Sequence, residues 1–387
     1  MDLIRVMPAE AKVKTQRSYD AIIVGGGVIG LSCAWRLSQR GARVALVEKS
    51  SPPAGATRVA AGMLAPVGEL AFGEPKLLKM TLAAAELYPD FVAEVEAASG
   101  ISTGYARHGA LHVALDRDEA AELRRVHELQ RSLGLGAEWL PPRRCRELEP
   151  GLTPSFNGGV HAAAEGAVDP RALARALLAA LLAEGGEVLA GTEVTAAMSE
   201  DRRICGVRTK AVAHVASGTR TAVAEELRGA AVVLATGAWS GQADWLPAEG
   251  RPPIRPVKGQ IVELRGRDGA APCERIVASE RVYLVPRPDG RLIVGATVEE
   301  QGFDTAVTAG GVHELLREAY RLLPDVAEME LLEAAAGLRP GTPDNLPRVE
   351  PAPLDGLLWA TGHYRNGILL APLTADAIVA QLEGALV

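Results

Sequence analysis

The feature that most constrains the fold of this chain is a glycine-rich turn between a short apolar strand and a helix. Residues 25–30 have the sequence GGGVIG, which fits the pattern G-x-G-x-x-G. An apolar stretch at 21–24 precedes the turn, and residues 31–40 carry apolar side chains at helical spacing. A second apolar strand follows at 43–47. This order predicts a βαβ unit and therefore a Rossmann-like α/β domain.

The turn predicts a dinucleotide site. Glycines let the backbone approach a pyrophosphate, and the helix N-terminus offers free N–H groups and positive partial charge. Glu48 lies eighteen positions after Gly30, where its carboxylate can bind both adenosine ribose hydroxyls and would repel the 2′-phosphate of NADP. The pattern does not distinguish FAD from NAD, and a purely structural glycine turn is the alternative. The dinucleotide-binding residues predicted here are Gly25, Gly27, Val28, Ile29, Gly30, Glu48 and Lys49.

Composition narrows the class of protein. A chain of 387 residues suits two domains, and 48% apolar with 23% charged residues is typical of a soluble globular protein. The net charge of −7 opposes nucleic-acid binding, and the absence of an apolar run of about 18 residues opposes a membrane span. The four cysteines lack metal-ligand spacing. We therefore expect a cytoplasmic protein with reduced thiols and without a metal.

The second half of the chain predicts an antiparallel sheet. Apolar runs at 282–287 and 291–297 flank an Asp-Gly pair, a strong hairpin signal. A two-residue loop would place Tyr283 opposite Ala296 and on one face with Val298, as a pocket wall. A three-residue loop would put Val298 on the other face.

Two further segments contain candidate site residues. The stretch 232–240 (VVLATGAWS) is a buried strand running into a glycine turn. It resembles a flavoprotein strand that passes near the dinucleotide. The alternative interpretation is an ordinary strand end without a binding role. Its candidates are Ala235, Thr236, Gly237 and Trp239. Arg339 lies in a segment with little room for a surface helix, and a guanidinium matches a carboxylate with two parallel hydrogen bonds. A surface arginine is the alternative.

Three stretches carry a specific resemblance. They are 60–66 (AAGMLAP), 337–344 (GLRPGTPD) and 362–372 (GHYRNGILLAP). Together with the N-terminal unit, they resemble the glycine oxidases of thiamine biosynthesis, within the D-amino-acid oxidase-like FAD-dependent oxidoreductases. The resemblance covers nearly all of 19–387. It implies non-covalent FAD and a Rossmann-like FAD-binding domain of the glutathione-reductase type, with an inserted α+β substrate domain containing an antiparallel sheet.

The resemblance also implies roles for individual residues. Arg339 would pair with a substrate carboxylate and Tyr283 would bond to its other side, with Val298 and Arg365 in the same pocket. Val298 stands where glycine oxidases can carry Met, so the pocket could be wider. Arg339 and Arg365 would also approach the cofactor. The other residues implied near FAD are Ala60, Ala61, Gly62, Met63, Val194, Gly337, His363, Asn366, Gly367, Ile368 and Leu369.

A helix starting at Asn366 and Gly367 would direct its positive end at the flavin pyrimidine, where the reduced ring carries negative charge. For His363 we expect backbone contact with the flavin. The other histidines show no ligand spacing.

The implied reaction is oxidative deamination of glycine and similar small amines, such as sarcosine and small D-amino acids. Hydride would pass to flavin N5, and O₂ would reoxidise the flavin to give H₂O₂, with glyoxylate and ammonia from glycine. A role in thiazole and thiamine biosynthesis and a homo-oligomeric state are expected. The alternatives are an amino-acid dehydrogenase of the same fold, a non-catalytic flavin-binding subunit and an NAD-binding protein.

The expected division of the chain begins with a flexible extension at 1–17. The FAD-binding domain would comprise 18–85, 150–243 and 335–387. The substrate domain would comprise 86–149 and 244–334.

Overall fold

The computed structural model describes residues 17–212 and 225–386. The strands, in chain order, are β1 (Arg17–Val24), β2 (Val44–Val47), β3 (Met63–Leu64), β4 (Ala110–Val113), β5 (Glu138–Leu140), β6 (Gly159–Ala162), β7 (Gly166–Ala167), β8 (Glu187–Leu189), β9 (Thr192–Glu200), β10 (Arg203–Ala211), β11 (Glu225–Leu234), β12 (Arg255–Arg265), β13 (Ile276–Ala278), β14 (Tyr283–Pro286), β15 (Arg291–Gly295), β16 (Glu330–Gly341), β17 (Arg348–Pro351) and β18 (Leu357–Thr361).

The α-helices are α1 (Val28–Gln39), α2 (Ala56–Val59), α3 (Pro75–Ser99), α4 (Arg117–Ser132), α5 (Pro142–Leu148), α6 (Pro170–Ala183), α7 (Ala309–Leu322) and α8 (Ala371–Leu386). Short 3₁₀ helices occupy Gly237–Gln242, Ala248–Gly250 and Pro324–Glu328. Among the helices of the described ranges, none combines the length and the apolar character needed to cross a membrane.

The first sheet brings the glycine turn to one edge. Its strand order is β17-β18-β11-β1-β2-β8, and β10 and β9 extend it from β11. The strands from β18 to β8 run parallel, so their carboxyl ends meet. Gly25 N donates to Val47 O at 2.9 Å, and Ala235 N donates to Val24 O at 2.8 Å. The turn, the end of β2 and the end of β11 therefore lie side by side.

Helices cover one face of this sheet with a large apolar core. The core includes side chains of α1, α3, α6 and α8. Trp35 is fully buried in it, and its ring meets the ring of Phe91 edge-on at 5.9 Å. Both faces of β1 are buried, because Ile23 belongs to this core and Ile22 to a second apolar cluster. Burial on both faces explains the continuous apolar run in the sequence of β1.

The second sheet is largely antiparallel and has its own core. Its order is β16-β12-β15-β14-β13-β4-β6-β5, and within the described residues β13 and β4 form its parallel pair. Apolar side chains of this sheet pack against α7. A parallel α/β layer joined to an antiparallel sheet confirms the predicted fold class.

The predicted domain boundaries differ from the sheets in three places. β6 and most of β16 were assigned to the first domain, yet they pair with β4 and β12 in the second sheet. The second half of α3 was assigned to the substrate domain, yet its side chains Phe91 and Val95 lie in the core of the first sheet. Residues 1–16 of the expected extension lie outside the described residues. Arg17 already belongs to β1.

Of the two loops considered for the β14–β15 hairpin, the structure has the three-residue loop. Arg287 N donates to Arg291 O at 2.8 Å, which closes a three-residue loop over 288–290. Gly290 adopts a φ of +79°, as a three-residue loop with a left-handed position requires. Tyr283 therefore lies opposite Gly295 rather than Ala296. Val298 lies beyond the end of β15, so strand alternation does not decide where it points.

The helix expected to start at Asn366 and Gly367 begins later, at Ala371. Residues 366–370 form turns instead, with Leu370 N donating to Asn366 O at 2.8 Å. The expectation that the helix N-terminus lies at 366–367 is therefore wrong.

Candidate active site

One cavity of about 1020 Å³ runs along the edge of the first sheet and reaches the second. Most of the site residues predicted from the sequence lie on its wall. They are Gly25, Gly27, Val28, Ile29, Glu48, Lys49, Ala60, Ala61, Gly62, Met63, Val194, Ala235, Thr236, Gly237, Trp239, Tyr283, Val298, Gly337, Arg339, His363, Arg365, Gly367 and Ile368. Residues separated by up to 343 positions in the chain thus share one space.

Three predicted residues are not on that wall. Gly30 packs beneath the turn, where a Cβ would come within 3.0 Å of Gly25 O. Leu369 is 2% exposed and belongs to the first core. Asn366 forms a turn, its backbone N–H donating to His363 O at 2.9 Å. The structure gives these three residues packing or turn positions instead.

Glu48 is fixed against the glycine turn. Its Oε2 accepts a hydrogen bond from Gly26 N at 2.7 Å, and its Oε1 accepts bonds from Ser50 N and Oγ at 2.8 Å each. Gly25 has a φ of +114°, and a Cβ there would come within 3.0 Å of Ala235 O. The turn therefore requires glycine, and the acid lies where a ribose beside the turn would meet it.

Thr57 is a residue of this region that the sequence did not reveal. It lies on α2, is 6% exposed, and its Oγ1 accepts a hydrogen bond from Val28 N at 3.0 Å. It thus holds the first turn of α1, whose N-terminal residues face the cavity. The two residues are 29 positions apart, so no local pattern indicates the contact.

Arg287, which is not on the cavity wall, holds the segment 60–63 through a hydrogen bond. It is 5% exposed and its Nη2 donates to Ala61 O. Burial lowers the pKa of Arg287 to about 10, so the guanidinium stays charged at neutral pH. Gly62 in the same segment has a φ of +74°, and a Cβ there would come within 3.0 Å of Val168 O. The segment is therefore held in one conformation on the cavity wall.

Arg339 enters the cavity from β16, where it is half-buried. Its Nη1 donates to Thr297 O at 3.1 Å and more weakly to Lys258 O at 3.4 Å. The neighbouring strand supplies Gly259, where a Cβ would come within 3.0 Å of the guanidinium. Two carbonyl oxygens and a missing side chain therefore position the cation.

Tyr283 is placed in the same way on β14. A Cβ on the opposing Gly295 would come within 3.0 Å of the phenol oxygen. Burial raises the pKa of Tyr283, while the charge of Arg339 acts in the opposite direction. The phenol is therefore neutral at pH 7 and can donate a hydrogen bond to an anion held by Arg339. The tyrosine and the arginine were predicted from the sequence, whereas neither glycine was.

A carboxylate that was not predicted lies in the same part of the cavity. Glu69 is half-buried on the wall. Burial raises its pKa, and the positive charges of Arg365 and Arg339 act to lower it. Arg365 itself is exposed, with its guanidinium 5.6 Å from the ring centroid of Tyr364. The region around Arg339 is thus of mixed charge.

His363 contributes through its side chain, although backbone contact was expected. Its Nε2 lies 2.8 Å from Thr374 Oγ1, and the ring is 2% exposed. Burial lowers the pKa of His363 to about 3, so the imidazole is neutral. Tyr364 N donates to Pro340 O at 3.0 Å. These bonds tie the segment to α8 and to the strand that carries Arg339.

Comparison with known proteins places this geometry in a family. The model of a family described as FAD dependent oxidoreductase matches residues 20–382. The chain belongs to the FAD-dependent oxidoreductase family. The predicted membership among the D-amino-acid oxidase-like flavoproteins is confirmed, and so is the prediction of FAD as cofactor.

Two relatives and one solved structure show how far the similarity extends. The glycine oxidase of Geobacillus kaustophilus is 35% identical over 371 residues, covering 94% of this chain and 93% of that protein. The bifunctional protein ThiO/ThiG of Trichormus variabilis is 36% identical over 93% of this chain, which spans only 52% of that longer protein. The crystal structure of the Geobacillus kaustophilus glycine oxidase superposes with a TM-score of 0.85 and 33% identity, covering 95% of both chains.

The residues that line this cavity fit FAD. The turn has glycine at the positions where side chains would block the backbone, with α1 directed at the same space. Glu48, the acid expected to bind a ribose, is held against this turn by a hydrogen bond from Gly26 N. The cavity continues past this turn to the uncharged segment 60–63, with room for a second, planar half of a dinucleotide.

Proposed function

We propose that this chain oxidises glycine and similar small amines, among them sarcosine and small D-amino acids, with O₂ as electron acceptor. The products from glycine are glyoxylate, ammonia and H₂O₂. The observation that carries the proposal is the half-buried guanidinium of Arg339 beside the phenol of Tyr283, on the wall of the cavity that fits FAD. The glycine oxidase relatives support the choice of substrate.

The cofactor would be held by residues from both ends of the chain. The glycine turn and the N-terminus of α1 would bind the diphosphate, and Glu48 would bind the adenosine ribose. Val194 would lie beside the adenine. The segments 60–63 and 363–368 would border the isoalloxazine. When bound, FAD accepts the two electrons and the hydrogen removed from the substrate Cα.

The chain's own residues orient the amino acid. The Arg339 guanidinium presents a planar pair of N–H groups that match a carboxylate, and Tyr283 donates to the same group. Because Arg339 is already held by Thr297 O and Lys258 O, little ordering is needed when the substrate binds. The protein thus fixes the Cα–H bond relative to the cofactor, and no side chain need act as a base on that carbon.

Val298 borders the space beside this carboxylate site and is 61% exposed. A valine there leaves room for a substituent on the amine, which is why we include sarcosine and small D-amino acids. A place in thiazole and thiamine biosynthesis is supported by the ThiO/ThiG relative. We further propose a cytoplasmic homo-oligomer, to be checked by fractionation and by light scattering of the purified protein.

The test is substitution of Arg339 in the FAD-loaded protein. Arg339→Ala should lower kcat/KM for glycine by about 100-fold or more, because a buried charge-assisted pair is lost, while FAD stays bound. Arg339→Lys should recover little, since lysine lacks the planar fork. Arg267→Ala, which removes an arginine that is 77% exposed, is the matched control. Near-normal glycine turnover in Arg339→Ala would contradict the assignment.

Peroxide formation decides the electron acceptor. In air, one H₂O₂ per glycine consumed supports an oxidase. Glycine-dependent bleaching of the flavin with little peroxide would indicate a dehydrogenase of the same fold. A yellow protein that no small amine bleaches without oxygen would indicate a non-catalytic flavin-binding subunit.

A further inference from the structure

Glu69 has no part in the reaction proposed above, yet it lies in the substrate region of the cavity. It belongs to the loop 65–70, which connects β3 to the segment before α3. Its carboxyl is close enough to Arg339 and Arg365 for both charges to act on its pKa. A carboxylate near the cation that binds the acid end of an amino acid is complementary to a zwitterion.

The loop is fixed from beneath by a buried carboxyl. Glu165 is 2% exposed, and its Oε1 accepts hydrogen bonds from Val67 N at 2.8 Å and Gly68 N at 2.6 Å. Gln130, also 2% exposed, donates to Val67 O at 2.9 Å. The residues just before Glu69 are therefore held at both their N–H and C=O groups.

The other oxygen of Glu165 faces a histidine. Glu165 Oε2 and His112 Nε2 are both buried and, in the part of the chain that the structure describes, neither has a hydrogen-bond partner. A Cβ on Gly68 would come within 3.0 Å of both atoms, so the two atoms flank one point beneath the loop. Burial raises the pKa of Glu165 to about 8, and burial lowers the pKa of His112 to about 4. At neutral pH the pair is a protonated carboxyl beside a neutral imidazole.

We propose that Glu69 binds the ammonium group of the amino acid whose carboxylate is held by Arg339, and accepts the proton that this nitrogen must lose before oxidation. Glu165 and His112 act as positioning residues, because they hold the loop that presents Glu69. This inference rests on the proposed function.

The proton transfer is balanced within the site. An N–H bond of the ammonium breaks, an O–H bond forms on the Glu69 carboxylate, and the nitrogen keeps the electron pair. The amine then reaches the oxidation step uncharged. Other ionisable side chains on the cavity wall include Tyr283, Arg339, Arg365, His112, Glu119, Glu122, Glu280 and Arg281.

Two physical arguments favour Glu69 for this role. An ammonium group leaving water needs a hydrogen-bonded or charged partner, since its desolvation is costly. A carboxylate whose pKa is raised by burial accepts a proton more readily than an exposed one. Alternatively, Glu69 is merely a counter-ion for the two arginines, in which case it would contribute equally to the binding of any carboxylate.

The experiment compares glycine with acetate, a carboxylate without an amine, on the FAD-loaded protein. Glu69→Gln should lower kcat/KM for glycine by about 100-fold. Acetate affinity, measured from the flavin spectrum, should stay within about threefold. The acidic limb of the pH profile of kcat/KM should move to higher pH, because the enzyme would then require free amine from solution. Glu147→Gln, which removes an exposed carboxylate paired with Arg144 and away from the cavity wall, is the control.

The positioning role of Glu165 is tested separately, by comparing two substitutions at that position. Glu165→Gln keeps an oxygen for Val67 N and Gly68 N and should retain most activity. Glu165→Ala should lower kcat/KM for glycine while the acidic limb stays in place, because Glu69 still titrates. Should Glu165→Ala not fold, Gly68→Ala tests the same loop, since its Cβ would displace His112 or Glu165. Equal activity of Glu165→Ala and Glu165→Gln would contradict the positioning role.

Three results would overturn the role of Glu69. They are an unchanged glycine profile in Glu69→Gln, an equal loss of glycine and acetate binding, or loss of FAD from that variant. Failure of the proposed function is a different result, in which Arg339→Ala binds acetate as tightly as the wild type. The two proposals can therefore fail separately.

Discussion

The guanidinium of Arg339 occupies the space that a side chain at position 259 would need. A Cβ built on Gly259 comes within 3.0 Å of both terminal nitrogens and of the carbon between them. The two residues are on paired strands, with Gly259 opposite Gly337 and Arg339 two positions further along. The glycine on β12 thus determines where the cation on β16 can lie.

Gly259→Ala should therefore impair substrate binding without unfolding the protein. The displaced group is the far end of a flexible side chain, so the guanidinium shifts and the strand pairing persists. A shift of about 1 Å is expected to lower kcat/KM for glycine by about 100-fold. Steady-state kinetics and bound-FAD absorbance measure the two effects. Gly310→Ala, at a position with open space, should leave both unchanged. Wild-type kinetics in Gly259→Ala would show that Arg339 does not bind the substrate from its observed position.

Glu48→Ala should weaken FAD binding. The substitution removes the acceptor of Gly26 N and the proposed partner of the ribose. Hydrogen bonds to a charged group contribute about 1.5–3 kcal/mol each, so the Kd should rise about 10-fold to 100-fold. Fluorescence titration of the FAD-free protein measures it. Ser50→Ala removes a single bond to the same carboxylate and should have a much smaller effect. Equal Kd values for both variants would argue against contact between Glu48 and the cofactor.

Glu165 should make the protein less stable as the pH rises. Burial raises its pKa to about 8, so between the ordinary carboxyl pKa and about 8 the folded state holds a proton that the unfolded state has lost. Unfolding free energy then falls by up to about 1.4 kcal/mol per pH unit in that window. Thermal unfolding at pH 6 and pH 8 measures this loss. Glu165→Gln has no such proton, so its Tm should fall less between the two pH values. Parallel changes in wild type and variant would contradict the raised pKa.

Val298→Met should narrow the range of amines that the enzyme oxidises. The longer side chain would fill space beside the carboxylate site, where a substituent on the amine would lie. Discrimination by a methylene-sized change is about 10-fold or more, so kcat/KM for sarcosine and D-proline should fall by about that factor relative to glycine. Val307→Met, another exposed valine but not on the cavity wall, is the control. A uniform change for all three amines would place Val298 outside the specificity-determining wall.

The sequence predicted the parts of this site that depend on short patterns. The turn at 25–30, the acid at 48 and the strand ending at 235 follow from glycine spacing and apolar runs, and their positions in the fold agree with those patterns. Arg339 and Tyr283 came from motifs in single segments. Most of the residues predicted from such motifs line the cavity.

The residues missed were those whose position depends on distant partners. Gly259 and Gly295 look ordinary in sequence, and their importance comes from the side chains opposite them. Glu69 and Glu165 are 96 positions apart and meet only through the folded loop. The hairpin register could not be decided from the sequence, because Asp289-Gly290 fits both a two-residue and a three-residue loop and backbone geometry selects between them.

The glycine opposite Tyr283 has a consequence for how this enzyme can diversify. Gly295 cannot gain a side chain without expelling the phenol, and Gly259 cannot without expelling the guanidinium. The strands that carry Arg339 and Tyr283 therefore cannot accept a side chain at these two glycines without displacing the groups proposed to bind the carboxylate. New substrates would have to be gained through exposed positions of the cavity wall such as Val298, which follows the end of β15. A mutant library confined to position 298 would sample new specificities while leaving Arg339, Tyr283 and Glu69 in place.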